Sequence, residues 1–308
     1  MRRAFILFFF LTLACAAGAR ADEPGFTPAP GFVLTRPNDS GEGLRLGAEF
    51  NYISRADFTN GLGSVSVARA DVKADYSLFS LSLGVSHFLW ESKANVRFSE
   101  GESRDPWDDL YDVTLQARLL NDTVGDHWHY WLNGELSSSF ESDFPGAVGA
   151  GFDGGVAYDF WDGWMLGLSA KAVALSALSD ALFGDVKFGA VVAVSQKSLR
   201  NTLRAAGLLP DLPEGKDSIG FSFYLTGAEK TYRLSPDSPV RRNGFLGMRR
   251  SAVGASLDYT LDEHWSFFVG PEYNYGRQYI LYDSDGRQTS SHRLGDAWGG
   301  RAGFRFVF

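Results

Sequence analysis

A serine nucleophile needs an imidazole within hydrogen-bond reach and a third group that orients the base. The chain carries five histidines, at positions 87, 127, 129, 264 and 292. Ser86 and His87 are sequence neighbours. On an extended strand neighbours face opposite sides, so these two do not pair. His127 and His129 share a face and could ligate a metal, but their aromatic surroundings suit a membrane headgroup boundary better. Asp105, Asp108 and Asp109 surround Pro106-Trp107, without the glycine-punctuated spacing of a calcium loop, and read as a solvated loop. The glycines sit on strand faces, not before a helix, so there is no phosphate-cradling loop. No catalytic, cofactor or metal site is read from the sequence.

The elements that carry these residues have period two. Leu44, Leu46, Ala48, Phe50 and Tyr52 share one face, while Arg45, Glu49 and Asn51 take the other. Ala68, Ala70, Val72, Ala74 and Tyr76 oppose Arg69, Asp71, Lys73 and Asp75. Alternation of this kind marks strands. Twelve such segments are predicted, roughly at 44–53, 64–76, 79–90, 109–120, 127–139, 147–160, 164–175, 185–196, 218–231, 249–260, 265–280 and 295–308. Ten or fourteen remain open if a hairpin is merged or split. Several reach twelve residues or more, which suits a tilted membrane strand of about 9–11 residues with extensions.

Tight links at Ser77-Leu78, 161–163 and 261–264 alternate with long polar links at 54–63, 91–108, 176–184, 232–248 and 281–294. Short turns at one rim and long loops at the other form the pattern of a transmembrane barrel. The 197–217 connection is long although it lies on the short-turn rim. There Ser198 can cap a short amphipathic helix with Leu199, Leu203 and Ala206 on one side, ahead of Pro210 and Pro213. Tyr76, Phe79, Trp128, Tyr130, Phe160, Trp164, Tyr259 and Trp265 fall near the short-turn ends on the apolar faces. Rings at one depth make an interfacial aromatic girdle, whereas a soluble secreted β-sandwich, the rival fold, would scatter them.

Composition agrees. The 308 residues are 44% hydrophobic and 15% aromatic, with 35 Gly, one Cys and a net charge of −8. That balance argues against a nucleic-acid binder, and a single Cys excludes a disulfide framework. Arg2 and Arg3 precede a mostly apolar run from Phe5 to Gly18 and then Ala19-Arg20-Ala21, the layout of a cleaved secretory signal over 1–21. A lipoprotein anchor at Cys15 is the rival, weakened by Thr12 where a lipobox has Leu. Cleavage after Ala21 removes Arg2, Arg3 and Arg20, so 29 basic residues become 26 against 37 acidic ones and the charge becomes −11. Residues 22–43, with Pro24, Pro28, Pro30 and Pro37, read as a flexible periplasmic leader. The barrel then spans 44–308.

The chain ends Gly303-Phe304-Arg305-Phe306-Val307-Phe308. Rings at Phe304, Phe306 and Phe308 resemble the C-terminal signature of bacterial outer-membrane β-barrels, uncharacterised and roughly twelve-stranded in type. The resemblance implies an all-β, antiparallel up-and-down transmembrane barrel, delivered to the outer membrane by the barrel-assembly machinery. Outer-membrane lipids and lipopolysaccharide are then the expected surroundings.

If apolar faces meet lipid, the opposite faces line the lumen. Basic residues there are Arg45, Arg69, Lys73, Arg118, Lys171, Lys187, Lys230, Arg250, Arg301 and Arg305; acidic ones are Glu49, Asp71, Asp75, Asp112, Glu135, Asp153, Asp159, Asp258 and Glu272. Strongly selective pores favour one sign. Ten against nine suggests cross-strand ion-pair ladders, with Gly149, Gly151, Gly155 and Gly189 giving room, or a narrow polar conduit through the same residues. The expected role is a non-enzymatic barrel, either such a conduit or a structural, surface-displayed one. The alternative is a lipid-acting hydrolase near His87 or Trp90 at the outer rim.

Overall fold

The computed structural model describes residues 43–308, except 60, 62, 92–97, 99–105, 126, 162–163, 177–181, 208–218, 239 and 262–263. The signal segment, Cys15, nearly all of the leader, Asp105, Pro210 and Pro213 lie outside the described residues.

Thirteen strands follow one another: β1 (Leu44–Asp57), β2 (Ser64–Tyr76), β3 (Phe79–Glu91), β4 (Asp109–Val124), β5 (Trp128–Phe140), β6 (Ala147–Trp161), β7 (Trp164–Ser176), β8 (Leu182–Ser195), β9 (Ile219–Arg233), β10 (Phe245–Thr260), β11 (Trp265–Tyr282), β12 (Gln288–Arg293) and β13 (Ala297–Val307). Neighbours pair antiparallel from β1 to β11, β13 lies between β11 and β1, and β10 pairs with β11. The ring therefore closes through twelve strands, which leaves no unpaired edge in hydrocarbon.

The sequence places 281–294 in a loop, whereas Gln288–Arg293 forms β12. The cause lies in β11. Beside β11, β13 pairs only as far as Asn274, so the overhang Gln278–Tyr282 presents a free edge that β12 fills. β12 thus extends the wall above β13, and its far side meets the end of β1, where Phe58 bridges Leu294 and Thr59 N donates to Arg293 O at 3.0 Å. Predicted ends at 53 and 120 and a predicted start at 249 fall short of the observed strands by four residues each. Each coincides with a register shift, at Ile53/Ala56, Arg118/Leu120 and Arg249/Ser251. A bulge inverts the alternation beyond it, and the pattern stops reading as a strand there.

A helix, α1 (Gln196–Ala205), follows β8 at the short-turn rim. It begins before Ser198, so Ser198 lies inside the first turn and does not cap it. Trp164 Nε1 donates to Thr202 Oγ1 at 3.1 Å, which ties α1 to the start of β7.

Outward faces expose large apolar side chains on every barrel strand, among them Phe50, Val72, Leu83, Leu119, Leu136, Phe152, Leu168, Phe188, Phe223, Val253, Val269 and Phe304. In water each would forgo about 1.5–3 kcal/mol of burial. A dozen together exceed the net stability of roughly 5–15 kcal/mol that a domain possesses. A continuous apolar belt of this kind is a lipid-facing surface, not the outside of a soluble sandwich.

Candidate functional site

Along the lumen the inward faces change character with depth. At the long-loop end they are apolar. Val65 and Val67 of β2, Phe88 of β3, Tyr232 of β9, Leu246 of β10, and Tyr279 and Leu281 of β11 are buried there together. Into this ring the loop before β4 inserts Phe98 and Trp107, and Trp107 is 1% exposed. Trp90 lies 5.6 Å from Trp107 and 5.9 Å from Phe98, both edge-on. Phe58 stacks on Trp90 at 6.0 Å, and the Trp90 indole donates to the Trp107 carbonyl at 2.8 Å. His292 of β12 closes the side, 5.1 Å from Phe98. The outer end of the lumen is thus filled by an aromatic plug.

At the same level β5 meets β9 directly. Phe140 bridges Arg233 in parallel, Glu141 N donates to Arg233 O at 3.0 Å, and Ser235 N donates to Glu141 Oε2 at 2.8 Å. This seam narrows the rim across β6–β8.

Beneath the plug the wall is charged. Arg69 of β2 donates through Nε to Asp71 at 2.7 Å, and its Nη1 lies 2.8 Å from Asp112 of β4. The reach over β3 is possible because Gly84 stands between: a Cβ there would lie 2.4 Å from Arg69 Nη2 and 2.6 Å from Asp71 Oδ1. Lys230 of β9 crosses the lumen to Asp112 at 3.0 Å, and Arg69 reaches Ser86 at 3.1 Å and the Tyr232 hydroxyl at 3.5 Å. Below, Lys171 of β7 pairs with Glu135 of β5, which also accepts from Gln116 at 3.0 Å.

On the opposite wall the Arg301 guanidinium lies 4.7 Å over the Phe268 ring and 5.6 Å over Tyr224, with Glu49 3.6 Å from its Nε. The Tyr224 hydroxyl donates to Glu272 at 3.1 Å, and Arg250 reaches Asn274 at 3.3 Å. At the short-turn end Lys73 pairs with Asp75 at 3.1 Å, and Arg45 lies opposite Asp75 in the ladder. Arg305 and Asp258 face one another electrostatically, as do Arg305 and Asp75.

Opposite charges face one another directly at Arg45–Asp75 and Asp153–Lys171, while other contacts run differently. Arg69–Asp71 and Lys73–Asp75 lie along one strand, and Arg69–Asp112 and Lys171–Glu135 skip a strand. Directly opposite positions even carry like charges, Glu49 against Asp71 and Lys171 against Lys187. Twelve strands enclose a narrow lumen, so a long side chain finds the nearest counter-charge along or across it. The glycines also divide differently than expected. Gly155 makes room for the Trp131 ring, to which a Cβ would come within 2.3 Å, rather than for a charged partner.

The girdle residues lie at the short-turn rim. Tyr76 faces Phe79. Trp128 packs 4.7 Å from Tyr158, Phe160 is 6.3 Å from Trp164, and Tyr130 donates to Asp122 at 3.3 Å. Tyr259 lies opposite Phe267, next to Trp265. Trp265 packs 4.6 Å from Phe306 and 5.7 Å from Phe304, and Phe308 lies 4.7 Å from Phe306. A second outward band at the long-loop rim went unread in the sequence: Tyr111 with Phe140 at 5.7 Å, and Tyr273 with Trp298 at 5.2 Å.

His87 faces outward and pairs through Nδ1 with Asp109 at 2.8 Å, both half-exposed. Among the described residues no serine hydroxyl bonds to this imidazole. His127 lies in the β4–β5 turn, 6.0 Å from Tyr158.

No protein-family profile matches the chain, and no curated protein matches it. Among solved structures, an outer-membrane channel from Pseudomonas putida F1 is similar at a TM-score of 0.51, with 11% identity over 93% of this chain and 100% of that one. The beta domain of the Bordetella autotransporter BrkA gives 0.44, with 12% identity over 87% and 100%. The NanC porin gives 0.40, with 12% identity over 85% and 98%. With the closed ring and the lipid-facing belt, the first of these likenesses gives the protein the fold of a transmembrane β-barrel, the architecture of that outer-membrane channel.

Proposed function

We propose that the protein is a non-enzymatic, gated conduit for small polar solutes, closed at its outer end in the state described. One observation carries this reading: the lumen below is lined by charge, while the seal above is partly made by Phe98 and Trp107 from a loop. Wall residues are fixed by the ladder, whereas Phe98 and Trp107 lie outside the strands, so replacing them breaks no strand pair. A ring constriction over a charged path also gates by excluding water.

Planar-bilayer recording of the refolded protein tests this. Wild type is expected to be mostly closed, and Phe98→Ala/Trp107→Ala to show discrete steps that Arg69→Ala and Asp71→Ala alter. Silence of the plug variant would overturn the conduit and leave a structural barrel. Release of fatty acid from labelled phospholipid or lipopolysaccharide, with and without Ca²⁺, would instead establish a hydrolase. Delivery belongs to the same reading. Cleavage after Ala21 sends the chain to the outer membrane, and the assembly machinery engages the terminal rings, so mature protein sequenced from that fraction begins at Asp22.

A further inference from the structure

Beneath the plug, β11 carries a bulge. Arg249 of β10 faces Gln278 and Ser251 faces Tyr275, so Gly276 and Arg277 together oppose the single residue Arg250. Gly276 takes a φ of +61°, the left-handed first position of a glycine bulge, and a bulge re-aims the side chain beside it. Here Arg277 is brought next to Arg250, two residues below Tyr279 of the plug.

These two guanidinium groups are poorly matched by acid. Arg277 is 4% exposed, and its Nη1 has no hydrogen-bond acceptor among the described residues. Its near polar neighbours are the neutral Tyr279 hydroxyl and Arg250 itself. Asp296, the carboxylate in its field, is already held by the Tyr273 hydroxyl at 2.9 Å. Among the described residues Arg250 makes one hydrogen bond, to Asn274 Oδ1 at 3.3 Å, and Glu272 stands 3.7 Å away with the Tyr224 hydroxyl donating to it. Asn274 is fully buried, and its own Nδ2 is unpartnered. The positions facing the pair are small: Ala228 lies opposite Arg250, and Ala252 and Ala297 flank Asn274. The Arg250 side chain is 41% accessible, so the lumen reaches it, while Arg277 stands behind it out of water. A charge in low-dielectric surroundings acts at longer range than one in water. A solute at Arg250 therefore meets one guanidinium fork, which suits carboxylate and phosphate geometry, and the field of a second.

We infer that Arg250 and Arg277 form a lumenal binding site for a small oxyanion, the carboxylate or phosphate group of a solute. The inference rests on the conduit reading only in making that solute class the one conducted. Binding in the closed barrel needs no conduction, so each can fail alone.

The test is calorimetric titration of the refolded protein in detergent with acetate and, separately, with inorganic phosphate, each replacing chloride at constant ionic strength. Saturable binding is expected with at least one of them. Arg250→Gln and Arg277→Gln should each weaken it about tenfold, the size of one charge-assisted hydrogen bond. Arg249→Gln, outside the lumen, should bind as wild type, and ammonium replacing sodium should give no response. Arg277→Gln should also unfold at the same or a higher denaturant concentration than wild type, because it removes a buried charge that lacks a counter-charge. Arg277→Met repeats both readings with the aliphatic packing kept. Failure of both anions to saturate, or unchanged affinity in either Gln variant, would overturn the site. Marked destabilisation by both Arg277 variants would overturn it as well, by making Arg277 a structural cation.

Discussion

Asp112 is the carboxylate on which the upper charged layer depends, and Asp112→Asn is the sharpest perturbation of it. The side chain is 5% exposed and ion-paired with Arg69 at 2.8 Å and Lys230 at 3.0 Å. At an effective dielectric of about 20, a unit pair at that separation attracts by roughly 5–6 kcal/mol before desolvation. Removing one partner of a buried pair costs about 3–5 kcal/mol, because the other is left uncompensated. Arg69 keeps Asp71, so the group that loses its close counter-charge is Lys230, which retains the more distant field of Asp185 and the Tyr232 ring at 5.4 Å. The lumen leaves about a quarter of the Lys230 side chain accessible, which places the expected loss at the lower end, about 3 kcal/mol. The assay is reversible denaturant unfolding of the barrel in lipid vesicles, followed by tryptophan fluorescence and by heat-dependent gel mobility. Lys230→Met in the Asp112→Asn background should recover about half of the loss, a coupling well outside the error of roughly 0.5 kcal/mol for independent sites. A single-variant loss under about 1 kcal/mol with no coupling would refute the reasoning and make these charges fully screened.

Gly155→Ala should cost about 1–3 kcal/mol in the same unfolding assay, since its Cβ would meet the Trp131 ring and the Leu168 carbonyl at 2.3–2.5 Å. Gly84→Ala should cost a similar amount, because its Cβ would sit among Arg69, Asp71 and Asp112 and part the ion pairs that this glycine lets form. Burial in the plug lowers the His292 imidazole below the ordinary value of about 6.5, with a hydrogen bond that the ring donates to the Phe98 backbone opposing it. A lowered cation pKa means that the unfolded or opened state binds the proton first. The plug is therefore weakened as pH falls from about 6.5 towards the depressed value. Opening frequency should rise over that window and become pH-independent in His292→Gln. Phe308→Ser should reduce the amount reaching the outer membrane by roughly several-fold, while the refolded variant unfolds within about 1 kcal/mol of wild type, since its ring is exposed. Equal loss in both would make the terminal ring a packing residue rather than an assembly signal.

The period-two pattern carried the twelve-stranded architecture, and it stopped at the bulges because one extra residue inverts every later face. β12 was illegible for a different reason. Gln288–Arg293 has no apolar face, and its partners, the overhang of β11 and Thr59 after β1, are set by the fold. The plug was half legible. On β3 the inward series runs Ser80, Ser82, Gly84 and Ser86, then turns to Phe88 and Trp90. β2 turns from Arg69 to Val67 and Val65 at the same height. Phe98 and Trp107 gave no such sign, because a loop's insertion depends on the walls it meets. Which charges face inward could be read by parity, but not their partners. Partner choice depends on Gly84 opening a path over β3 and on a lumen narrow enough for Lys230 to cross it.

Closure of a narrow barrel does not itself require charge. Replacing a buried ion pair with well-packed apolar side chains is often neutral or stabilising by about 1–4 kcal/mol. This barrel contains the apolar solution: its outer end is filled by rings and aliphatic groups from β2, β3, β9, β10 and β11. Below that level the wall switches to Arg69, Asp112, Lys230, Glu272 and Arg301 of β2, β4, β9, β11 and β13, each held in place by a counter-charge, an amide or a ring. Structural filling alone would favour continuing the rings downward. A charged wall retains water where a ring expels it, and that is why the charged layers support the proposed passage of polar solutes better than a purely structural filling.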